Sequence, residues 1–305
     1  SNRDTNGVSM IMASLRWKIL RQAIRGDNDD SSDEIKEISR NHNPGYGLIP
    51  LTRMTNHDNK PPISRDINVC YHLPIDASPK LSIVHRSERV SDLRDFQIAN
   101  SHKIDNTGIV CLWPSEEVLA YFCLRNVDMF KSKRVLELGC GYGLAALTIA
   151  ASCDASEVVL SDGNPQVLEY AHRNIERNRG SFGRTKVGAE MLHWEEEEAQ
   201  RNLGAFDIII ASDCTFFKEF HKALARCIKR TLKNEESEAV LLSPRRGDSL
   251  EKFVKEVKDS GLRVAVIENY EAKVWERHTK FTAGDASWPS YESDHSYPLL
   301  LRINS

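Results

Sequence analysis

A carboxylate stands where an apolar strand should pass straight into a turn. Residues 134–150 read RVLELGCGYGLAALTIA, so Glu137 follows Val135 and Leu136, and Gly139, Gly141 and Gly143 come next at every second position. A strand that merely becomes a helix needs one glycine at most. Three let the backbone lie against a ligand, beside the free N–H groups of the following helix. Gly141 to Ala146 also fits G-x-G-x-x-A, with Asp162 about 20 residues on, so the glycines leave a dinucleotide and other nucleoside ligands equally open. Glu137 tips that choice, because a carboxylate at the turn repels a pyrophosphate and favours a ligand carrying positive charge.

Other residues with chemical potential lie downstream. Asp213 closes FDIIIASDCTFF with Phe216 three positions on; Trp194 follows EMLH; Arg245 and Arg246 share SPRRGDSLEKF; Asn269, Tyr270 and Trp275 lie in ENYEAKVWERH. Strands expected at 134–138, 157–161, 185–192, 206–212, 238–243 and 262–268 and helices at 143–153, 165–178, 218–232 and 248–260 deliver most of them to one edge. Such alternation predicts a parallel sheet covered by helices. The final run, YPLLLRI at 297–303, follows a long polar insertion rather than a helix and is expected to return antiparallel beside the 262–268 strand. Asn164 and Pro165 open the 165–178 helix, and Ser115, Glu116 and Glu117 open another after Pro114.

Ahead of this core, residues 11–25 have helical apolar spacing, and 26–62 are polar and rich in Asn, Asp, Pro and Gly. The reading is a helix and mobile linker over 1–62, a small β-rich accessory region over 63–104 built on INVCYHL, LSIVHR and DFQIAN, and the main domain over 105–305. At 305 residues with 40% hydrophobic content the chain can build a large core. A formal net charge of −3 gives no reason to expect nucleic acid. Seven scattered cysteines without a C-x-x-C pair suggest neither disulfides nor a metal site. No run approaches a membrane span and no secretory signal is recognisable. A soluble monomer in the cytoplasm, and also the nucleus, is expected.

Taken with the blocks NTGIVCLWPSEEVLAYFCL, SDGN and YPLLLRI, these motifs resemble the calmodulin-lysine N-methyltransferase family, over about Asp105 to the end. The resemblance implies an α/β, Rossmann-like, seven-stranded class I methyltransferase fold, S-adenosylmethionine as cofactor and calmodulin as protein substrate. It assigns the cofactor to Trp113, Glu137, Gly139, Gly141, Gly143, Asp162, Trp194 and Asp213, with Asp162 on the ribose and Trp194 near the adenine. It assigns Asp213, Phe216 and Tyr270 to catalysis, and Phe216, Arg245, Arg246, Asn269, Tyr270 and Trp275 to the substrate. The pair Arg245 and Arg246 is expected to dock an acidic partner. Only a neutral lysine amine can attack, and neutralising a lysine of pKa about 10.4 at pH 7 costs about 4.6 kcal/mol. Asp213 would stabilise the ammonium, so its expected role is orientation, while Phe216, Tyr270 and Trp275 would surround a methylated ammonium. The closest rival reading is a lysine methyltransferase with another protein substrate, such as an elongation factor or chaperone; a nicotinamide oxidoreductase and a non-catalytic cofactor-binding scaffold are more distant ones.

Overall fold

The computed structural model describes residues 45–53, 66–76, 79–86 and 107–305, together with Asp95, Ile98, Ser101 and Ile104. The helix expected over 11–25 and most of the 26–62 linker lie outside the described residues.

The core is a seven-stranded sheet built from β4 (Arg134–Leu138), β5 (Glu157–Asp162), β6 (Lys186–Met191), β7 (Ile208–Ser212), β8 (Glu238–Ser243), β9 (Arg263–Ile267) and β10 (Leu299–Asn304). Their spatial order is β6-β5-β4-β7-β8-β10-β9, with β10 antiparallel between β8 and β9 and the other ladders parallel. β4, β7 and β8 are almost continuously apolar and buried, as strands covered on both faces must be. The cover comes from α2 (Pro114–Arg125), α4 (Leu144–Ser152) and α5 (Pro165–Asn178), and from α6 (Glu197–Leu203), α7 (His221–Thr231) and α8 (Ser249–Asp259). Asn164 caps α5 by accepting from the Gln166 N–H at 2.9 Å, with Pro165 in the first turn.

Short helices α1 (Thr107–Val110) and α3 (Val127–Phe130) flank α2. Two further helices, α9 (Ala272–Thr282) and α10 (Ser293–Ser296), lie in the stretch expected to be a polar insertion. The Glu271 carboxylate caps α9, accepting from the Lys273 and Val274 N–H groups at 2.8 and 3.0 Å. A charged residue of this kind reads as surface in the sequence, which hides the helix start.

β1 (Leu51–Arg53), β2 (Asp66–His72) and β3 (Lys80–Arg86) form a separate antiparallel sheet. Residues 45–53, expected in the mobile linker, are instead part of the packed structure. Tyr46, Leu48 and Ile49 are buried, and the Glu117 carboxylate accepts from all three of their N–H groups at 2.9, 2.6 and 3.1 Å. Of DFQIAN, expected as a β-type run, the described residues Asp95 and Ile98 are helical.

The small sheet is joined to the core by side-chain amides. Asn174 and Asn178 of α5 accept from the Val84 and Ser82 N–H groups at 2.8 Å each and donate back to the same residues' carbonyls at 3.2 and 2.8 Å. They satisfy the edge of β3 as a fourth strand would. The accessory region is therefore one folded body with the core. No helix of the described residues is long and apolar enough to cross a membrane.

Candidate active site

The carboxyl ends of β4, β5 and β7 open into a cleft of about 940 Å³. Parallel strands all point this way, so whatever follows each strand must line the same edge. Of the residues singled out from sequence, Trp113, Gly139, Gly141, Asp162, Trp194, Asp213, Phe216 and Arg246 line it.

The loop after β4 carries all three glycines at positive φ, +62°, +51° and +80° for Gly139, Gly141 and Gly143. Their surroundings differ. A Cβ at Gly139 would lie 2.7 Å from Cys214 Sγ, and one at Gly143 would lie 2.4 Å from Leu160 Cδ2, so the first admits the β7 loop and the second seats α4 on β5. Gly143 is accordingly not a lining residue. Asp162 at the end of β5 accepts from the Asn164 N–H at 2.8 Å and, weakly, from the Gly141 N–H at 3.4 Å, which ties the glycine loop to the next strand.

Glu137 does not reach the cleft. Strand alternation turns it inward, where it is fully buried beneath the loop and accepts from the Ala146 N–H at 3.3 Å. Burial, reinforced by the neighbouring Glu116 charge, raises its pKa well above the usual carboxylate range, and its Oε1 has no hydrogen-bond partner among the described residues. Burial raises Glu116 as well, although Ser212 and the Ala145 N–H, bonded to its two oxygens at 2.6 and 2.7 Å, work against that. Burial disfavours the charged form of Glu137, so it supports the loop from beneath instead of presenting a charge to the cleft. Glu116, which sequence analysis treated as a helix opener, lines the cleft; its only signal was SEE after Pro114.

At the end of β7, Asp213 adopts φ +54°, and across from it Arg246 adopts φ +49°. Arg246 Nη2 donates to Asp213 Oδ2 at 2.5 Å, with the side chains 15% and 9% exposed. The guanidinium lies 4.9 Å from the Phe216 ring centre and 5.8 Å from that of Trp113. Burial raises the Asp213 pKa, and the Arg246 charge opposes the rise. Phe217 and Phe220, not foreseen, continue the aromatic wall to Trp194 through edge-on contacts of 4.6 to 6.3 Å, and the Gln200 amide fixes the Trp194 carbonyl at 2.8 Å.

Four expected substrate residues lie elsewhere. Arg245 points away and pairs with Glu251 at 2.7 Å, so the two arginines form no joint docking patch. Asn269 is exposed and outside the cleft lining. Tyr270 donates to the Pro298 carbonyl at 2.8 Å, and its ring stacks on Tyr297. Burial raises its pKa well above the usual phenol value, so it is no base. Trp275 packs edge-on against Tyr297 at 5.9 Å. Both belong to an aromatic block that anchors the 283–296 segment. That segment in turn gives the cleft Ser290, Glu292, His295 and Ser296, none of which the sequence flagged.

Apart from histidines, Arg246 is the cationic side chain lining the cleft among the described residues, and it is engaged with Asp213. Glu116, Asp162, Glu195, Glu196 and Glu292 line the same space. A pyrophosphate finds no neutralising partner here, whereas a cationic nucleoside ligand finds carboxylates, a backbone cradle and an indole. The cleft therefore discriminates as expected, but through residues other than Glu137.

A family model described as lysine methyltransferase matches residues 91–260, just over half of the chain. The chain belongs to the lysine methyltransferase family. The methyltransferase is 55% identical over 295 residues to the calmodulin-lysine N-methyltransferase of Arabidopsis thaliana, covering 96% of this chain and 97% of that one. It is also 30% identical over 183 residues to the protein N-lysine methyltransferase METTL21A of Danio rerio, covering 59% of this chain and 81% of that one. Among solved structures, a putative methyltransferase complexed with SAH superposes with a TM-score of 0.49 at 11% identity over 74% of this chain and 54% of that one.

The enzyme's methyl donor is S-adenosylmethionine. The residues fit it: Gly139 and Gly141 leave the backbone bare, the carboxylates suit its ammonium and sulfonium, Asp162 suits ribose hydroxyls and Trp194 suits a purine face. When bound, it supplies an electrophilic methyl on a sulfonium.

Proposed function

We propose that the methyltransferase modifies a lysine side chain of calmodulin, through to the trimethyl state. The observation that carries this reading is the 55% identity over 96% of the chain to a calmodulin-lysine N-methyltransferase of matching length. The site supports it. Trp113 and Phe216 present ring faces beside the Asp213 carboxylate, which suits a long aliphatic stem ending in a nitrogen.

The residues divide the work as follows. Trp113, Phe216 and Phe217 exclude water from the incoming lysine, and desolvation favours its neutral amine. Asp213 orients that nitrogen, and the departing proton goes to solvent before attack. Each further transfer starts again from a neutral amine, whose proton has gone to solvent, in the same dry surroundings. The reading includes a monomer working in the cytoplasm, and also the nucleus, without a nucleic-acid partner, for which a net charge of −3 offers no attraction.

Mass spectrometry of calmodulin after incubation with enzyme and S-adenosylmethionine tests this in one measurement. The expected result is a gain of three methyl masses on one lysine. Unmodified calmodulin beside a methylated protein from whole lysate would overturn the choice of substrate.

A further inference from the structure

Arg246 was expected on the surface, ready to meet an acidic partner, and the structure places it in the cleft. Several observations bear on what it does there. It and Asp213 both adopt the left-handed region that non-glycine residues rarely enter, so the chain accepts local strain at two positions to bring these side chains together. The ion pair is single-armed. Arg246 Nη2 reaches Asp213 Oδ2 at 2.5 Å, while the buried Asp213 Oδ1 and Arg246 Nε have no hydrogen-bond partner among the described residues. The Arg246 loop is itself fixed, because Asp294 accepts from the Arg246 N–H through its carbonyl and from the Gly247 N–H through its carboxylate, both at 2.8 Å.

A lone Asp213 would bind a lysine ammonium and hold it in the form that cannot attack. A guanidinium already on Oδ2 cancels that charge, while the carboxylate, which lines the cleft, still offers a lone pair to one N–H of a neutral amine. Arg246 also sits over Phe216 and Trp113, so its charge faces the same space as the target nitrogen and disfavours a second cation there.

We propose that Arg246 is a positioning residue for methyl transfer: it neutralises Asp213 so that the carboxylate orients the target lysine as a neutral amine instead of trapping it as an ammonium. This rests on the reading of the cleft as a lysine site. The other charged groups near the pair are Glu116, bonded to Ser212 on β7, Glu292, Asp294 and His295 on the 283–296 segment, and Arg245, tied to Glu251. All remain in place when Arg246 alone is changed.

The test is a pH profile of kcat at saturating calmodulin and S-adenosylmethionine, which reports the groups of the bound complex, for wild type, Arg246→Gln, Arg246→Lys, Asp213→Asn and the Asp213→Asn/Arg246→Gln double variant, with thermal melting and cofactor binding measured on each. In Arg246→Gln the acid limb is expected to move alkaline by about one pH unit, with at least a tenfold loss at pH 7 and unchanged cofactor affinity. Arg246→Lys keeps a cation and should hold the limb near wild type. The double variant should be no slower than Asp213→Asn, since Arg246 acts through Asp213. An unmoved limb in folded Arg246→Gln, a faster Arg246→Gln enzyme, or losses that multiply in the double variant would overturn the proposal. If Arg246→Gln fails to melt cooperatively, the last comparison decides, because both its members lack the unbalanced carboxylate. A wild-type enzyme inactive on calmodulin refutes the substrate reading instead, and the same series is then run on the lysate protein that it does methylate.

Discussion

Two groups of aromatic residues lie near the carboxyl edge of the sheet, and they do opposite things. Trp113, Trp194, Phe216, Phe217 and Phe220 line the cleft, and Phe216 remains 41% exposed. Tyr46, Tyr270, Trp275, Phe281, Trp288, Tyr291 and Tyr297 pack on one another and seal the 283–296 segment to the chain around Tyr46. Tyr46 and Tyr291 are joined through their hydroxyls at 3.2 Å, and His278 Nδ1 lies 2.7 Å from the Tyr291 hydroxyl. The first group spends its ring faces on a ligand, the second on its own neighbours. An aromatic at a strand end is thus no evidence of a substrate cage until its partners are known.

The comparison can be broken by substitution. Asp213→Asn, which tolerates the left-handed backbone, should cut turnover by about a thousandfold while the protein still melts cooperatively; turnover within tenfold of wild type would remove Asp213 from the chemistry. Trp288→Ala in the second group should do the reverse. Trp288 is 1% exposed, so the change should cost about 3–5 kcal/mol of unfolding free energy in urea, with a far smaller loss of kcat in the folded enzyme than Asp213→Asn gives. Phe216→Ala should lower kcat/KM about tenfold, a loss of roughly 1.4 kcal/mol, with a melting temperature near wild type. Tyr270→Phe should be the mildest, losing about 1 kcal/mol with its hydrogen bond to Pro298 and leaving the rate alone. A large rate loss in Tyr270→Phe would restore its catalytic role.

The buried Glu116 and Glu137 pair sharpens the contrast between cleft and support by its pH dependence. A carboxyl whose pKa is raised on folding binds its proton more tightly in the native state. The resulting stability is fully present below the unfolded pKa of about 4.3 and fades as pH rises through the native value. Glu137→Gln imitates the protonated form, so its melting temperature should gain on wild type as pH is raised from 4 upward. A constant difference between the two would mean that Glu137 is ionised in the fold.

How much of this was legible depended on the reach of each interaction. β4 to β8 appeared within two residues of their expected bounds and α4, α5 and α8 within one, because period and caps act over a few positions, whereas α7 starts three residues later than expected and α6 was not among the expected helices. α9 was missed because its cap is a glutamate in a charged run, and the packed stretch from Tyr46 to Ile49 was missed because its support, Glu117, lies about seventy residues away. Arg246 was found for the wrong reason: two adjacent arginines suggested a shared surface, yet opposite backbone directions send one to Glu251 and the other to Asp213.

The sequence by itself determined that a parallel sheet would gather Gly139, Gly141, Asp162 and Asp213 at one edge. Glycine spacing and strand ends are local, and parallel strands can only end together. Tertiary structure alone decided which charges face the ligand. It turned Glu137 inward beside Glu116, set Arg246 on Asp213, and made side-chain amides of α5 the edge partner of β3. Each of these is a contact between distant segments, and the electrostatics of a site follow from burial and pairing, which the order of residues does not state.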